Sequence, residues 1–131
     1  MAPAAAQTFI DYFADTNTKP SDYDAVFTGD LGLVGSRSLY DLLSLENIDL
    51  EPNHYDCGMM IFDLEGQDVH AGGSGCGCAG SVFCSEILNS VNSGKYNNIL
   101  FMATGALMSP TSSGQGESIP SVAHLINIKL R

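Results

Sequence analysis

The residues best suited to chemistry lie in one glycine-rich stretch, residues 72–81, which contains five glycines, two cysteines and two serines. The thiols of Cys76 and Cys78 are candidate nucleophiles. The backbone around Gly75 offers N–H groups that suit a carboxylate, a phosphate or an acyl oxygen. Apolar residues then recur at helical spacing, which predicts a helix over residues 78–92 whose positive N-terminal end favours the same anions.

The alternative for this stretch is structural. Its glycines would allow the following helix to pack closely between layers of the fold, without binding anything. The spacing fits neither the dinucleotide-binding pattern G-x-G-x-x-G nor the P-loop pattern G-x-x-x-x-G-K-[ST]. The motif by itself leaves both interpretations open.

Two acidic residues are candidates for the same region. Residues 25–28 are apolar and bounded by Asp24 and Gly29, which predicts a buried parallel strand, so Asp30 follows its carboxyl end. Open α/β sheets bind ligands in the crevice outside such ends. The alternative is that Asp30 helps only the turn or the next helix start. Asp56 is placed in the pocket because it precedes Cys57 at the start of a predicted strand.

The remaining pattern predicts an α/β fold. Helices are expected at residues 4–13 and 36–45, a hairpin at residues 57–62 and 67–71, and strands at residues 99–103 and 122–130. Residues 104–121 are rich in Gly, Ser and Pro and are expected to form a long loop without an element of its own, either a lid or binding loop or a plain surface excursion. Ser109 in this loop is a candidate cover for the pocket.

Composition limits the partners. The chain has 131 residues, of which 44% are hydrophobic and 15% charged, with a formal net charge of -10. Nucleic acid and anionic lipid surfaces are poor partners for so acidic a chain. No apolar run is long enough to span a bilayer and no signal peptide opens the sequence. The four cysteines are expected to be free thiols in a reducing compartment.

Two other uses of these side chains fit less well. Cys76, Cys78, Cys84 and His70 would make a Cys₃His metal set, but their spacing does not match the usual paired zinc knuckle, so no metal is expected. His54 is expected on the surface. His124 is expected to be a core or edge histidine of the last strand.

Six short motifs together resemble one family. The resemblance to the stage V sporulation protein AD family covers essentially all 131 residues. The motifs are APAAA at 2–6, FTGDLG at 27–32, YDCG at 55–58, GGSGCGC at 72–78, ATGALMSP at 103–110 and GESIP at 116–120.

The resemblance implies a thiolase-like fold, an α/β/α arrangement with a mixed sheet of the five-stranded type, in a chain of two pseudo-repeated halves. Residues 1–131 resemble the C-terminal half without its first strand. The first Met would then be an internal or added residue of a longer protein. A fragment of this kind is expected to leave an exposed sheet edge and to associate with other copies.

The resemblance also implies binding without catalysis. Active thiolases and ketoacyl synthases use a first-half Cys with a His near a strand end and a His or Asn in the glycine turn. Those last two positions correspond to Gly29 and Cys76 here, and neither can act as an imidazole base. The alternative is a degenerate acyl-transfer enzyme with Cys76 or Cys78 as its nucleophile.

The family is associated with dipicolinic acid, pyridine-2,6-dicarboxylate, alone or as its calcium chelate, and with its uptake into the developing spore. The resemblance implies as partners the N-terminal half of the same protein and other stage V sporulation A membrane proteins. It implies a location on the cytoplasmic side of the spore inner membrane and a homo-oligomer, with no cofactor. The residues expected to line the pocket are Asp30, Asp56, Gly75, Cys76, Cys78 and Ser109.

Overall fold

The computed structural model describes residues 1–106 and 109–130. Its main helices and strands, in chain order, are α1 (Ala2–Thr16), β1 (Ala25–Thr28), α2 (Gly32–Ser44), β2 (His54–Asp56), α3 (Cys57–Met60), α4 (α-helical Cys78–Val82, π-helical Phe83–Ile87 and α-helical Leu88–Asn92), β3 (Asn98–Ala106), α5 (Pro110–Gly114) and β4 (Ser121–Lys129). Short 3₁₀ turns at Pro20–Asp22 and Glu51–Asn53 precede β1 and β2.

The strands form one mixed sheet in the order β2-β1-β3-β4. Strand β1 pairs in parallel with both β2 and β3, and β4 pairs antiparallel with β3. All four residues of β1 are buried, as expected for a parallel strand covered on both faces. The α/β class and the mixed sheet are therefore confirmed, with four strands among the described residues.

Helices cover both faces of this sheet. Helices α1 and α2 pack on one face around Phe9, Leu39 and Leu43, together with Val26 and Leu100 from the strands. Helix α4 packs on the other face. There its apolar residues Val82, Ile87 and Val91 meet Ala25, Phe27, Ile99 and Phe101 of the sheet. The alternation of side chains along each strand produces these two separate cores.

Most predicted elements are confirmed. Helix α4 has the predicted bounds, and β1 matches residue for residue. Helix α1 contains the predicted segment, and α2 begins four residues before its predicted start because Gly32 opens it. A π-helical turn inside α4 was not predicted.

The predicted hairpin is wrong. Residues 57–62 begin with the short helix α3, and the actual strand, β2, is the polar segment just before it. Residues 67–71 form turns, with the N–H of Gly72 donating to the carbonyl of Val69 over 3.0 Å. The side chains of Met60, Ile61 and Phe62 are 36–41% exposed, so this apolar run does not enter the sheet.

The predicted loop of residues 104–121 is partly wrong, because it contains two elements. Strand β3 continues to Ala106, and α5 follows, with Ser109 as its N-cap. Residues 107 and 108 of the motif at 103–110 lie outside the described residues.

Candidate functional site

The carboxyl ends of the parallel strands bring the candidate side chains together. Thr28 ends β1 and is paired in register with Asp56, which ends β2. Thr104 lies in the last part of β3, beside the turn that follows β1. The glycine turn, residues 72–77, passes the same edge of the sheet before α4 begins. This is the crevice that an open α/β sheet offers to a ligand.

Asp56 is a buried structural carboxylate, 2% exposed. Its Oδ2 accepts from the Thr28 hydroxyl at 2.6 Å and from the Leu31 N–H at 2.9 Å, and its Oδ1 accepts from the Gly32 N–H at 2.9 Å. The positive N-terminal end of α2 therefore compensates its charge. Asp56 is the last residue of β2 rather than the start of a strand, so the prediction about its place in the chain is wrong.

Glycine is required where α2 begins. Gly32 has φ +66°, and a Cβ there would lie 2.7 Å from the carbonyl oxygen of Ala71. The Leu33 N–H donates to that same oxygen over 2.7 Å. The start of α2 is thus held by Asp56 on one side and by the segment leading into the glycine turn on the other.

A chain of hydrogen bonds leads from Asp56 to Tyr40. Because Thr28 donates its proton to Asp56, its oxygen accepts from Nε2 of His54 over 2.9 Å. Nδ1 of His54 then accepts from the Tyr40 hydroxyl over 2.7 Å. This fixes the tautomer of a neutral imidazole. Burial lowers the pKa of His54 to about 4, against a smaller opposing effect of Asp56. His54 is half-buried and both of its ring nitrogens have partners in the protein, so the prediction of a surface histidine is only partly right.

Asp30 joins the end of β1 to β3 and to the glycine turn. Its Oδ1 accepts from the Thr104 hydroxyl at 2.8 Å, and its Oδ2 accepts from the Gly75 N–H at 3.0 Å. The Asp30 N–H donates in return to Thr104 Oγ1 over 3.1 Å. Both carboxylate oxygens therefore have partners within the protein.

The base of the glycine turn lies directly against α3. The Gly73 N–H donates to the carbonyl of Gly58 over 2.6 Å. A Cβ on Gly58 would lie 2.3 Å from the oxygen of Gly73, and a Cβ on Gly72 would lie 2.5 Å from the oxygen of Gly58. The close approach predicted from the glycine content is confirmed here, and the approaching group is the chain's own backbone.

A hollow of about 350 Å³ opens on the outer side of the turn. Its lining residues are Ile61, Phe62, Gly73, Ser74, Gly75, Cys76, Gly77, Cys78 and Ser81. Within the described residues, the N–H groups of Ser74, Cys76 and Gly77 have no acceptor in the protein. The hollow thus combines an aromatic side chain with unpaired backbone donors.

The four cysteines are free and fall into two groups by exposure. Cys76 and Cys84 are exposed, whereas Cys57 and Cys78 are buried. Burial, followed by nearby Asp56, raises the pKa of Cys57 to about 12. Burial also raises the pKa of Cys78, with smaller contributions from Asp30 and Asp56. Since the thiolate is the reactive form, both buried thiols are poor nucleophiles.

The six predicted site residues do not all line one hollow. Three of them, Gly75, Cys76 and Cys78, line the hollow at the turn. Asp30 lines a different hollow of about 670 Å³ beside the start of α1. Asp56 is buried beneath the turn, and the Ser109 hydroxyl accepts from the Ser112 N–H over 3.3 Å at the start of α5.

Four residues of this region were not predicted, namely Thr28, Tyr40, His54 and Thr104. The sequence held a weak indication for Thr28, because a polar residue at the end of an apolar strand is a candidate for a polar contact there. Tyr40 and His54 are 14 positions apart and on different elements, so only the tertiary fold brings them together.

Gly29, where the resemblance implies a lost histidine, is buried below the turn. A Cβ at this position would lie 2.6 Å from Thr104 Oγ1, 3.0 Å from the Thr104 backbone nitrogen and 3.4 Å from the Cβ of Ala79. The space beside Gly29 is therefore filled by Thr104 and the start of α4. A side chain of any size requires these neighbours to move.

Neither a metal cluster nor a membrane span is found in the described part of the chain. Residues 1–106 and 109–130 contain no group of three or more His, Cys, Asp or Glu placed to hold a metal ion. Across the same residues, no helix combines the length and the apolar character needed to cross a membrane.

Comparison with known proteins gives two findings. The family model described as Stage V sporulation protein AD matches residues 1–129. The chain is 45% identical over 124 residues to the Stage V sporulation protein AD of Bacillus subtilis (strain 168), an alignment that covers 95% of this chain and 36% of that protein. The chain thus spans about a third of the length of the curated relative it matches. Both findings confirm the resemblance predicted from the sequence.

Proposed function

We propose a function from the premise that this chain belongs to the stage V sporulation protein AD family. The chain acts in sporulation as part of a ligand-binding protein, whose ligand is dipicolinic acid, alone or as its calcium chelate. It binds this ligand without transforming it and aids its uptake into the developing spore. The single observation that carries the proposal is the family match over residues 1–129.

The geometry of the glycine turn supports a small planar dicarboxylate as the ligand. The ring of Phe62 offers a surface for stacking an aromatic ring. The unpaired N–H groups of Ser74, Cys76 and Gly77 are suited to carboxylate oxygens, and the start of α4 adds a favourable dipole. Calcium bound to the ligand would weaken its repulsion by a protein of net charge -10.

Two features support binding over catalysis. The packing of Thr104 and Ala79 around Gly29 leaves no room for the histidine that a condensing enzyme would need there. The raised pKa values of Cys57 and Cys78 disfavour their thiolates. The exposed thiol of Cys76 is the remaining candidate for the alternative, a degenerate acyl-transfer enzyme. If Cys76 reacts with iodoacetamide no faster than a free cysteine near pH 7, that alternative fails.

The thiolase-like architecture is part of the proposal. The sheet with three parallel strands and an antiparallel edge, covered by helices on both faces, supports it. In this view the chain corresponds to the C-terminal half, without its first strand, of a two-half protein whose N-terminal half completes the pocket. Other stage V sporulation A membrane proteins are proposed as partners, at the cytoplasmic side of the spore inner membrane, with the protein as a homo-oligomer.

Calorimetric titration of dipicolinate tests the proposal. The Bacillus subtilis relative should bind it saturably, with and without calcium, and this chain alone should bind much more weakly because the pocket is shared between halves. Pyridine-3,5-dicarboxylate is the matched control ligand, since it has the same charge and ring but a different spacing of carboxylates. Absence of binding by the relative would contradict the proposal, and equal binding by this chain would contradict the shared pocket.

A further inference from the structure

The tip of the glycine turn is not held by packing. A Cβ built on Gly75 or Gly77 would meet nothing within 4 Å, whereas a Cβ on Gly72 or Gly73 would collide with α3 or the residues just after it. The base of the turn is thus seated tightly and its tip projects into open space. Hydrogen bonds must therefore supply most of what fixes the tip.

The side chain that binds the tip from another part of the fold is Asp30. Its Oδ2 accepts from the Gly75 N–H at 3.0 Å, while its Oδ1 accepts from the Thr104 hydroxyl at 2.8 Å. Thr104 belongs to β3, the strand that lies between β1 and β4. The tip is consequently tied to the sheet through one carboxylate. Hydrogen bonds to an ionised group are roughly twice as strong as neutral ones.

A buried thiol lies next to the turn. Cys78 is 5% exposed, and its Sγ lies 3.9 Å from the carbonyl oxygen of Gly73. Its neighbour in the sequence pattern, Cys76, is on the exposed side. The Cys78 N–H also donates to the carbonyl of Gly75, at the tip, over 3.1 Å. Displacement of the tip would therefore disturb Cys78 while leaving Cys57, which is fully buried in the core, protected.

From these contacts we infer that Asp30 is a positioning residue that clasps the glycine turn beside Cys78, rather than a residue that meets the ligand. The clasp consists of Asp30, Thr104 and Gly75. It sets the direction in which the unpaired N–H groups of the turn point. The inference depends on the geometry of the turn alone and holds whichever ligand the family binds.

The test is thiol labelling of the folded chain with iodoacetamide, followed by mass spectrometry of each cysteine. In the unmodified chain Cys76 and Cys84 should react first. Asp30→Asn retains the shape but removes the charge, so the Gly75 N–H loses its bond to a charged acceptor even where the amide group donates to Thr104 Oγ1. It should speed labelling of Cys78 by about tenfold, because loss of one hydrogen bond to a charged group makes local opening of the turn about tenfold more frequent.

Two further variants separate the clasp from a general loss of stability. Thr104→Val removes the hydroxyl and should also speed Cys78 labelling, whereas Thr104→Ser keeps the hydroxyl and should restore the original rate. Asp68→Asn is the matched control, because the Asp68 side chain is 93% exposed and its carboxylate lies 3.5 Å from Nδ1 of His70, away from the clasp. Backbone amide exchange measured by NMR should accelerate at Gly75 in Asp30→Asn while Gly73 stays protected.

Unchanged Cys78 labelling and unchanged Gly75 exchange in Asp30→Asn would overturn the inference. Equal acceleration at Cys57 and Cys78 would also overturn it, since that pattern means loosening of the whole core. A failure of dipicolinate binding would contradict the proposed function and leave these labelling results unaffected.

Discussion

Thr28 and Asp56 face each other on neighbouring parallel strands, and the hydroxyl of Thr28 donates to the buried carboxylate over 2.6 Å. This bond joins two polar systems. On one side are Tyr40 and His54, and on the other are the backbone N–H groups that begin α2. Leu31, the residue after Asp30, donates its N–H to Asp56. The junction therefore helps to position the turn that carries Asp30.

Thr28→Val tests the importance of this junction. Valine keeps the shape of threonine but leaves Asp56 with one donor fewer and His54 without an acceptor for its N–H. The free energy of unfolding should fall by about 1–3 kcal/mol, the usual cost of leaving buried polar groups unpaired. Urea unfolding measures the change, and Thr111→Val on the exposed face of α5 is the control. A loss no larger than that of the control would contradict the hydrogen-bond chain.

The neutral state of His54 predicts a pH dependence of stability. The pKa of His54 is about 4 in the folded chain, below the ordinary value of 6.5, so protonation favours the unfolded state. This contribution is complete above pH 6.5 and is lost as the pH falls from 6.5 towards 4. Between pH 7.5 and 4.5 the unmodified chain should lose roughly 2–3 kcal/mol more than His54→Gln.

The comparison needs a second histidine variant. His124 is exposed on β4, so His124→Gln is the matched control that replaces a histidine and leaves the hydrogen bonds of His54 intact. Unfolding by urea at several pH values measures both variants. If the free energy of unfolding changes with pH by the same amount in His54→Gln and in the unmodified chain, His54 is not held neutral by the fold.

Gly58→Ala tests how the turn is seated. The added Cβ would lie 2.3 Å from the carbonyl oxygen of Gly73, a backbone atom that can move only with the turn. Destabilisation of roughly 1–3 kcal/mol is expected, as for other overpacked sites. The matched control is Gly80→Ala, where the Cβ meets nothing within 4 Å inside α4 and helix propensity favours alanine. Similar melting temperatures for the two variants would contradict the close packing of Gly58 against Gly73.

The sequence predicted those elements whose apolar pattern agrees with their burial. Helix α4 and strand β1 are of this kind, since their apolar residues face the core they were expected to face. The run of Met59 to Phe62 misled the prediction because an apolar run looks like a buried strand, yet here its last three side chains remain partly exposed. Strand β2 was missed because its own residues are polar.

The site was less predictable than the fold for a physical reason. Hydrogen bonds such as Thr104 to Asp30 join residues 74 positions apart, and no local pattern records them. Asp30 was identified from its place after a strand, but the partners of its carboxylate were not. The close approach at the glycine turn was predicted, because glycine is used where the backbone must come near another group.

The most direct test of the account is dipicolinate binding by a chimera in which this chain replaces the matched third of the Bacillus subtilis relative. Gly75→Ala and Gly80→Ala form a matched pair, since neither Cβ meets an atom within 4 Å and only Gly75 has a positive φ, +118°. Alanine at position 75 strains the turn and reorients its N–H groups. Calorimetry should show saturable binding by the chimera and by its Gly80→Ala variant. The Gly75→Ala variant should bind at least about tenfold more weakly, because it loses about one hydrogen bond to the charged ligand. Equal affinity in all three proteins, or no binding by any of them, would contradict the account.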